Sequence, residues 1–169
     1  MPPTKQYIID PKECLNYIHD FEILYQELLH CKSFKYDNVP KNQFNWGAVY
    51  IFCEKSKIIY VGYSSRTLEA SIHKQFNENR SSLLAWRLFF DRNRELLIDY
   101  SHRDLIPKKI ASVPEFHKKV EKIKEEIKSY DLKAVNLRQH YNMNFDMTKE
   151  ALFEIYVNLM SKSKYNDFE

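Results

Sequence analysis

The sequence predicts an α+β domain, a small three-stranded antiparallel sheet flanked by helices. Three observations carry this. The stretch from Gly47 to Gly62, GAVYIFCEKSKIIYVG, holds two runs rich in β-branched and aromatic residues around the polar break Glu54-Lys55-Ser56-Lys57, a pattern that makes a β-hairpin. A third apolar run, ELLIDY at 95–100, is the expected third strand. Several segments on either side repeat apolar residues every three to four positions, the period of an amphipathic helix.

The first helix is expected from Asp10, a good N-cap, with Pro11 in the first turn and Glu13 where a capping box needs its acid. Cys14, Ile18, Phe21, Tyr25 and Leu28 then form its apolar face. Residues 31–46, with Pro40 and several Asn, read as a loop. Thr67 to Asn77 is expected to be helical, with Leu68, Ile72 and Phe76 on one face. Ser81 or Ser82 can cap the next helix, which carries Leu84, Trp86, Leu88 and Phe89. Ser112-Val-Pro-Glu115 reads as a capping box opening a charged helix striped by Phe116, Val120, Ile123 and Ile127. A short helix is expected around Leu132 to His140, and a last one, capped by Asp146 or Thr148, turns Leu152, Ile155 and Leu159 inward. The organisation expected is a helical N-terminal extension and loop over 1–46, then a domain over 47–169 with a helical insertion at about 106–145.

Composition narrows the chemistry. The 169 residues suffice for one domain with a real core, and 44% apolar with 29% charged residues is a globular profile. Two glycines in the whole chain cannot build a dinucleotide fingerprint or a phosphate-cradling loop. A net charge of +3 permits nucleic acid as a partner without demanding it. Cys14, Cys31 and Cys53 are odd in number and widely spaced, which fits reduced thiols rather than a disulfide frame. No His pattern has zinc-ligand spacing. With no apolar run of membrane length and no apolar signal core at the N-terminus, a cytoplasmic location and no membrane partner are the default expectations.

AVY at 48–50 and YVG at 60–62 place Tyr50 and Tyr60 ten residues apart. This pair resembles the signature of the GIY-YIG nuclease family, with Val49 for the usual isoleucine and Ala48 where its glycine is expected. LLAWRLF at 83–89 is similar to the segment that follows in phage intron-encoded members. ALFEIYVNLMSKSKYN at 151–166 resembles the family's last helix, which carries a glutamate and, twelve residues on, an asparagine after an aromatic: here Glu154 and Asn166, with Tyr165 before it. Ser163 lies near the position of the usual proline.

The resemblance implies a three-stranded sheet with packed helices and a nuclease that hydrolyses DNA phosphodiesters with one divalent metal, Mg2+ or Mn2+. Glu154 would hold the metal. Tyr50 would orient the attacking water or take its proton, and Tyr60 would hold phosphate or water. Gly62 and Asn166 would be structural. The family's arginine, on the helix after the hairpin, is missing. Aligned on Leu68 and Phe76, LEASIHKQF puts Ser71 at the arginine position and Gln75 where a histidine or tyrosine is expected. Removing one such electrostatic stabiliser costs on the order of 10²–10³ in rate. Either another cation replaces it, or the chain binds without cutting. Lys74, three residues beyond Ser71, and Arg87 on the next helix could reach back; Arg66, His73 and Arg80 lie nearby.

Each of these residues also has an ordinary reading. Twelve tyrosines in the chain make any one of them a plain core residue, and His73, Lys74 and Arg87 read equally as solvated helix positions. The run HKKVEKIKEEIK at 117–128 holds five lysines and three glutamates, the mark of a solvated helix face. Its phosphate-binding alternative gains from Arg103, Lys108 and Lys109 just before it. Arg66, His73, Lys108 and Lys109 are the expected nucleic-acid contacts. Two functions follow: a metal-dependent DNA endonuclease of restriction, phage or mobile-element type, working as a homodimer if it cuts both strands of a palindrome, or a degenerate domain that binds nucleic acid or protein. An unrelated α+β interaction domain is the remaining alternative.

Overall fold

The computed structural model describes residues 11–41, 43–44, 47–77, 83–98, 112–137 and 147–165. In chain order the elements are α1 (Pro11–His30), a 3-10 turn (Tyr36–Asn38), β1 (Ala48–Glu54), β2 (Lys57–Ser64), α2 (Leu68–Asn77), α3 (Leu83–Arg92), a 3-10 turn (Arg94–Leu97), α4 (Pro114–Lys128), β3 (Asp131–Asn136) and α5 (Met147–Ser161). The strands form one antiparallel sheet in the order β2-β1-β3. The fold is α+β, a three-stranded antiparallel sheet flanked by helices.

The hairpin closes through Lys55 and Ser56, both at positive φ (47° and 68°), the handedness that matches strand twist in a two-residue turn. Its ladder slips once. Phe52 faces Tyr60 but Cys53 faces Ile58, so Ile59 is the extra residue of a bulge in β2. Beyond the bulge Tyr60 shares a sheet face with Tyr50 and Phe52.

Alternation along the strands sorts side chains into two cores. Tyr50, Phe52, Tyr60, Leu132 and Ala134 pack with α2, α3 and α4 on one face. Val49, Ile51, Val61 and Val135 pack with α1 and α5 on the other. The N-terminal region therefore belongs to the core: Phe21, Leu24 and Leu28 are buried beside Val49 and Phe153. The four-residue stripe expected on α4 is buried as read, but the helix is capped at Val113, one residue after Ser112, with Pro114 in its first turn.

Some expectations need correction. The third strand is not at 95–100. Arg94–Leu97 is a 3-10 turn extending α3, and Ile98 is exposed; Glu and Leu are good helix formers, and the segment has no strand partner among the described residues. The third strand is instead Asp131–Asn136, where a helix was expected. Leu132, Lys133 and Ala134 favour helix locally, but pairing with the open edge of β1 overrides that preference. The region at 106–145 thus contributes α4 and a sheet strand. On α5, Leu152, Ile155 and Leu159 face outward, with Leu159 69% exposed. Phe153 and Val157 are inside, because the aromatic contacts of Phe153 and Tyr156 with Phe21 fix the rotation of the helix. Ile18 of α1 is also exposed. Asp10, Ser81, Ser82 and Asp146, expected as caps, lie outside the described residues, as do Arg80 and Arg103. No helix among the described residues is long and apolar enough to cross a membrane. Cys31 and Cys53 are free thiols.

Candidate functional site

Tyr50 and Tyr60 sit side by side on one face of the hairpin, ring centroids 6.4 Å apart and tilted by 42°. Phe52 closes the trio, 6.0 Å from Tyr50 and 6.2 Å from Tyr60. The pairing register sets Tyr50 opposite Gly62 on one side and Ala134 on the other. The phenol lies across Gly62, where an added Cβ would sit 2.5 Å from its oxygen. Glycine is thus needed at 62 for close approach of a ring. Both tyrosines are mostly buried, at 2% and 6% exposure.

Ser71, at the position the sequence resemblance assigns to an arginine, sits in a short hydrogen-bond net. Ser64 at the end of β2 meets Ser71 oxygen to oxygen at 2.6 Å, and the Ser64 hydroxyl lies 3.2 Å from the Arg66 and Thr67 carbonyls. Thr67 caps α2 by accepting the Ala70 N–H at 3.2 Å. Ser71 therefore fastens α2 to the sheet. Lys74 and Gln75 lie on α2, with side chains outside the described residues. Arg66 is exposed at the bend before α2. His73 is engaged elsewhere: its Nδ1 is 2.9 Å from the Tyr36 hydroxyl and its Nε2 3.8 Å from Glu69.

Arg87 is tied to the hairpin through Tyr165. Its guanidinium donates to the Tyr165 carbonyl, and the Tyr165 N–H donates to the carbonyl of Ile59 at 3.1 Å. Two hydrogen bonds thus link Arg87 to the residue before Tyr60. The segment is latched further: Lys164 and the Tyr165 hydroxyl bond Asp91 at 2.5 and 3.1 Å. The hydrogen bond from Lys164 holds the Asp91 carboxyl below its ordinary range.

Glu154 lies next to Phe153 on α5 and three or four positions from Glu150, Val157 and Asn158, all four of them buried. That helix packs on β2 and β1. Among the described residues Glu154 makes no hydrogen bond or ion pair, and burial alone pushes its carboxyl up to about 7. A partly buried, unpaired carboxylate suits a divalent cation, since Mg2+ keeps several waters and needs only one or two carboxylates. The described residues contain no cluster of three or more His, Cys, Asp or Glu that could hold a metal.

The structure thus gathers Tyr50, Tyr60 and Gly62 on the hairpin, on the face that packs with α2, α3 and α4, with Arg87 tied to it through Tyr165; it does not bring Glu154 to them, because α5 packs on the opposite face of the sheet. His73 is tied elsewhere. Lys108, Lys109 and Asn166 lie outside the described residues. Sequence reasoning missed Glu150, fully buried and accepting the Tyr63 hydroxyl. Its spacing of four before Glu154 was the available signal. Ser64 as the partner of Ser71, and the Tyr165 backbone as the link to Arg87, leave no sequence pattern. The chain matches no protein-family description, no curated protein and no solved structure.

Proposed function

We propose that this chain is a metal-dependent DNA endonuclease of the GIY-YIG type, with Arg87 in place of the missing arginine. The observation that carries the reading is the Tyr50 phenol over Gly62 beside the ring of Tyr60, with Arg87 two hydrogen bonds from Tyr60's neighbour. Water attacks phosphorus and one phosphodiester P–O bond breaks. Tyr50 orients that water and draws on its proton. A phenol ionises at about 10 in the free state, so this role needs a cation nearby. Tyr60 hydrogen-bonds the phosphate, and Arg87 offsets the charge that builds on its oxygens. Glu154 is the residue that would hold Mg2+ or Mn2+, whose bound form supplies Lewis-acid polarisation of the phosphate. Arg66, Lys108 and Lys109 are the proposed backbone contacts to DNA.

Conversion of supercoiled plasmid to nicked or linear form with magnesium, abolished by Glu154→Ala, is the expected result. Plasmid left intact across metals, pH values and DNA sequences sinks the reading.

A second reading is favoured by the Ser64–Ser71 bond, which occupies the arginine's place with a neutral contact. The domain would then bind nucleic acid without cutting it. Binding that falls steeply with salt, no turnover and indifference to Glu154→Ala would mark it. If Ser71→Arg with Gln75→His creates cleavage where the parent has none, the scaffold was intact and only its chemistry was lost.

A further inference from the structure

A groove of about 720 Å3 opens at the outer edge of β3, within the size range of small-molecule sites. The sheet register says what lines it. The Leu137 N–H donates to the Gly47 carbonyl, so by antiparallel alternation Val135 and Lys133 bond to β1, while the backbone groups of Leu132, Ala134 and Asn136 point outward. Leu132 uses its own on Phe34, with both bonds at 2.9 Å. Ala134 and Asn136 face the groove, whose walls include Phe34, Phe44, Cys31 and Lys32. The two phenylalanine rings lie 6.0 Å apart.

The groove lies across β3 from the candidate site, whose Tyr50 phenol extends the other way, over Gly62 of β2. Ala134 stands directly opposite Tyr50 in the register, in the non-hydrogen-bonded type of pair that brings side chains closest. A peptide strand does not fit the edge well. Extending the Phe34–Leu132 register sets residues 32 and 30 of this chain opposite Ala134 and Asn136, where α1 ends and the Cys31 thiol already donates to the Ala134 carbonyl at 3.6 Å. A flat, compact ring meets no such obstacle. It can stack on an aromatic wall without using the edge's backbone groups.

We propose that this groove holds one unstacked nucleobase of the bound strand, with its ring against Phe44 and a flanking phosphate toward Lys32. The proposal rests on the nuclease reading for its substrate. Stacking on an aromatic side chain accepts any base, and taking a base out of the stack is easiest in single-stranded or nicked DNA. The substrate class is therefore DNA with a locally opened strand.

The test uses the full chain in EDTA, so binding is read without turnover. The probes are a short single-stranded deoxyoligonucleotide carrying 2-aminopurine and its blunt duplex. The single strand should bind the tighter and slow alkylation of Cys31, mapped by mass spectrometry. Phe44→Ala should weaken it by about tenfold, in line with the loss of one base stack. Lys32 is exposed, so Lys32→Glu should leave the fold intact while weakening binding and flattening its salt dependence; it decides the matter if Phe44→Ala melts early. Unchanged Cys31 alkylation, or affinities within twofold in both variants, overturns the proposal. Plasmid cutting in magnesium with Cys31 unprotected sinks the groove alone. Protected Cys31 with plasmid never cut sinks the nuclease reading and supports the groove as a base-binding site.

Discussion

Replacing Glu154 by Gln should change how stability depends on pH, by an amount set by the burial of the carboxyl. Its ordinary value is 4.5, and burial raises it to about 7 in the folded chain. Between those two values the folded state keeps a proton that the unfolded state has released. Stability therefore falls as pH rises through this window, and the loss is complete above about 7. The gap corresponds to roughly 3 kcal/mol at one kcal-scale step of 1.36 per unit. Gln cannot ionise, so the difference between variant and wild type isolates this one group. Urea unfolding at pH 4.5 and pH 8 in EDTA is the assay. Glu154→Gln should gain up to about 3 kcal/mol on wild type between the two conditions. Magnesium at pH 8 should stabilise wild type and leave the variant unmoved, since only an ionised carboxylate binds the metal. Parallel pH profiles, or equal stabilisation of both proteins by magnesium, would refute the reasoning.

Other substitutions follow from the same geometry. Arg87→Ala should lower cleavage by on the order of 10²–10³ with DNA affinity nearly kept; single-turnover rates beside binding isotherms read both. Gly62→Ala should destabilise the hairpin by roughly 1–3 kcal/mol, because its methyl collides with the Tyr50 ring, and thermal melting measures it. Phe153→Ala should cost roughly 3–5 kcal/mol and Leu159→Ala no more than about 0.5 kcal/mol. Similar losses at both sites would mean the rotation assigned to α5 is wrong.

The hairpin was legible because its signals are local. Alternation, a polar break and strand-forming residues all point the same way at 48–64. The fully buried stripe of α4 was legible for the same reason. β3 was not, because Leu132, Lys133 and Ala134 prefer helix and become a strand only through pairing with β1. The rotation of α5 was ambiguous because two of its arcs are apolar. Phe153 and Val157 compete with Leu152, Ile155 and Leu159, and contacts with α1 decide between them. In the candidate site, the spacing of Tyr50 and Tyr60 was visible, and so was Glu154. The tie from Arg87 through Tyr165 to Ile59 joins residues 28 and 106 positions apart, so no window along the chain could hold it.

The central claim is that the chain cuts DNA phosphodiesters with a metal that depends on Glu154. Supercoiled plasmid incubated with wild type and Glu154→Gln, each in magnesium, manganese and EDTA, tests it most directly. The account predicts nicked or linear DNA only for wild type and only with metal. Intact plasmid in every lane, or equal cutting by the Gln variant, would contradict it.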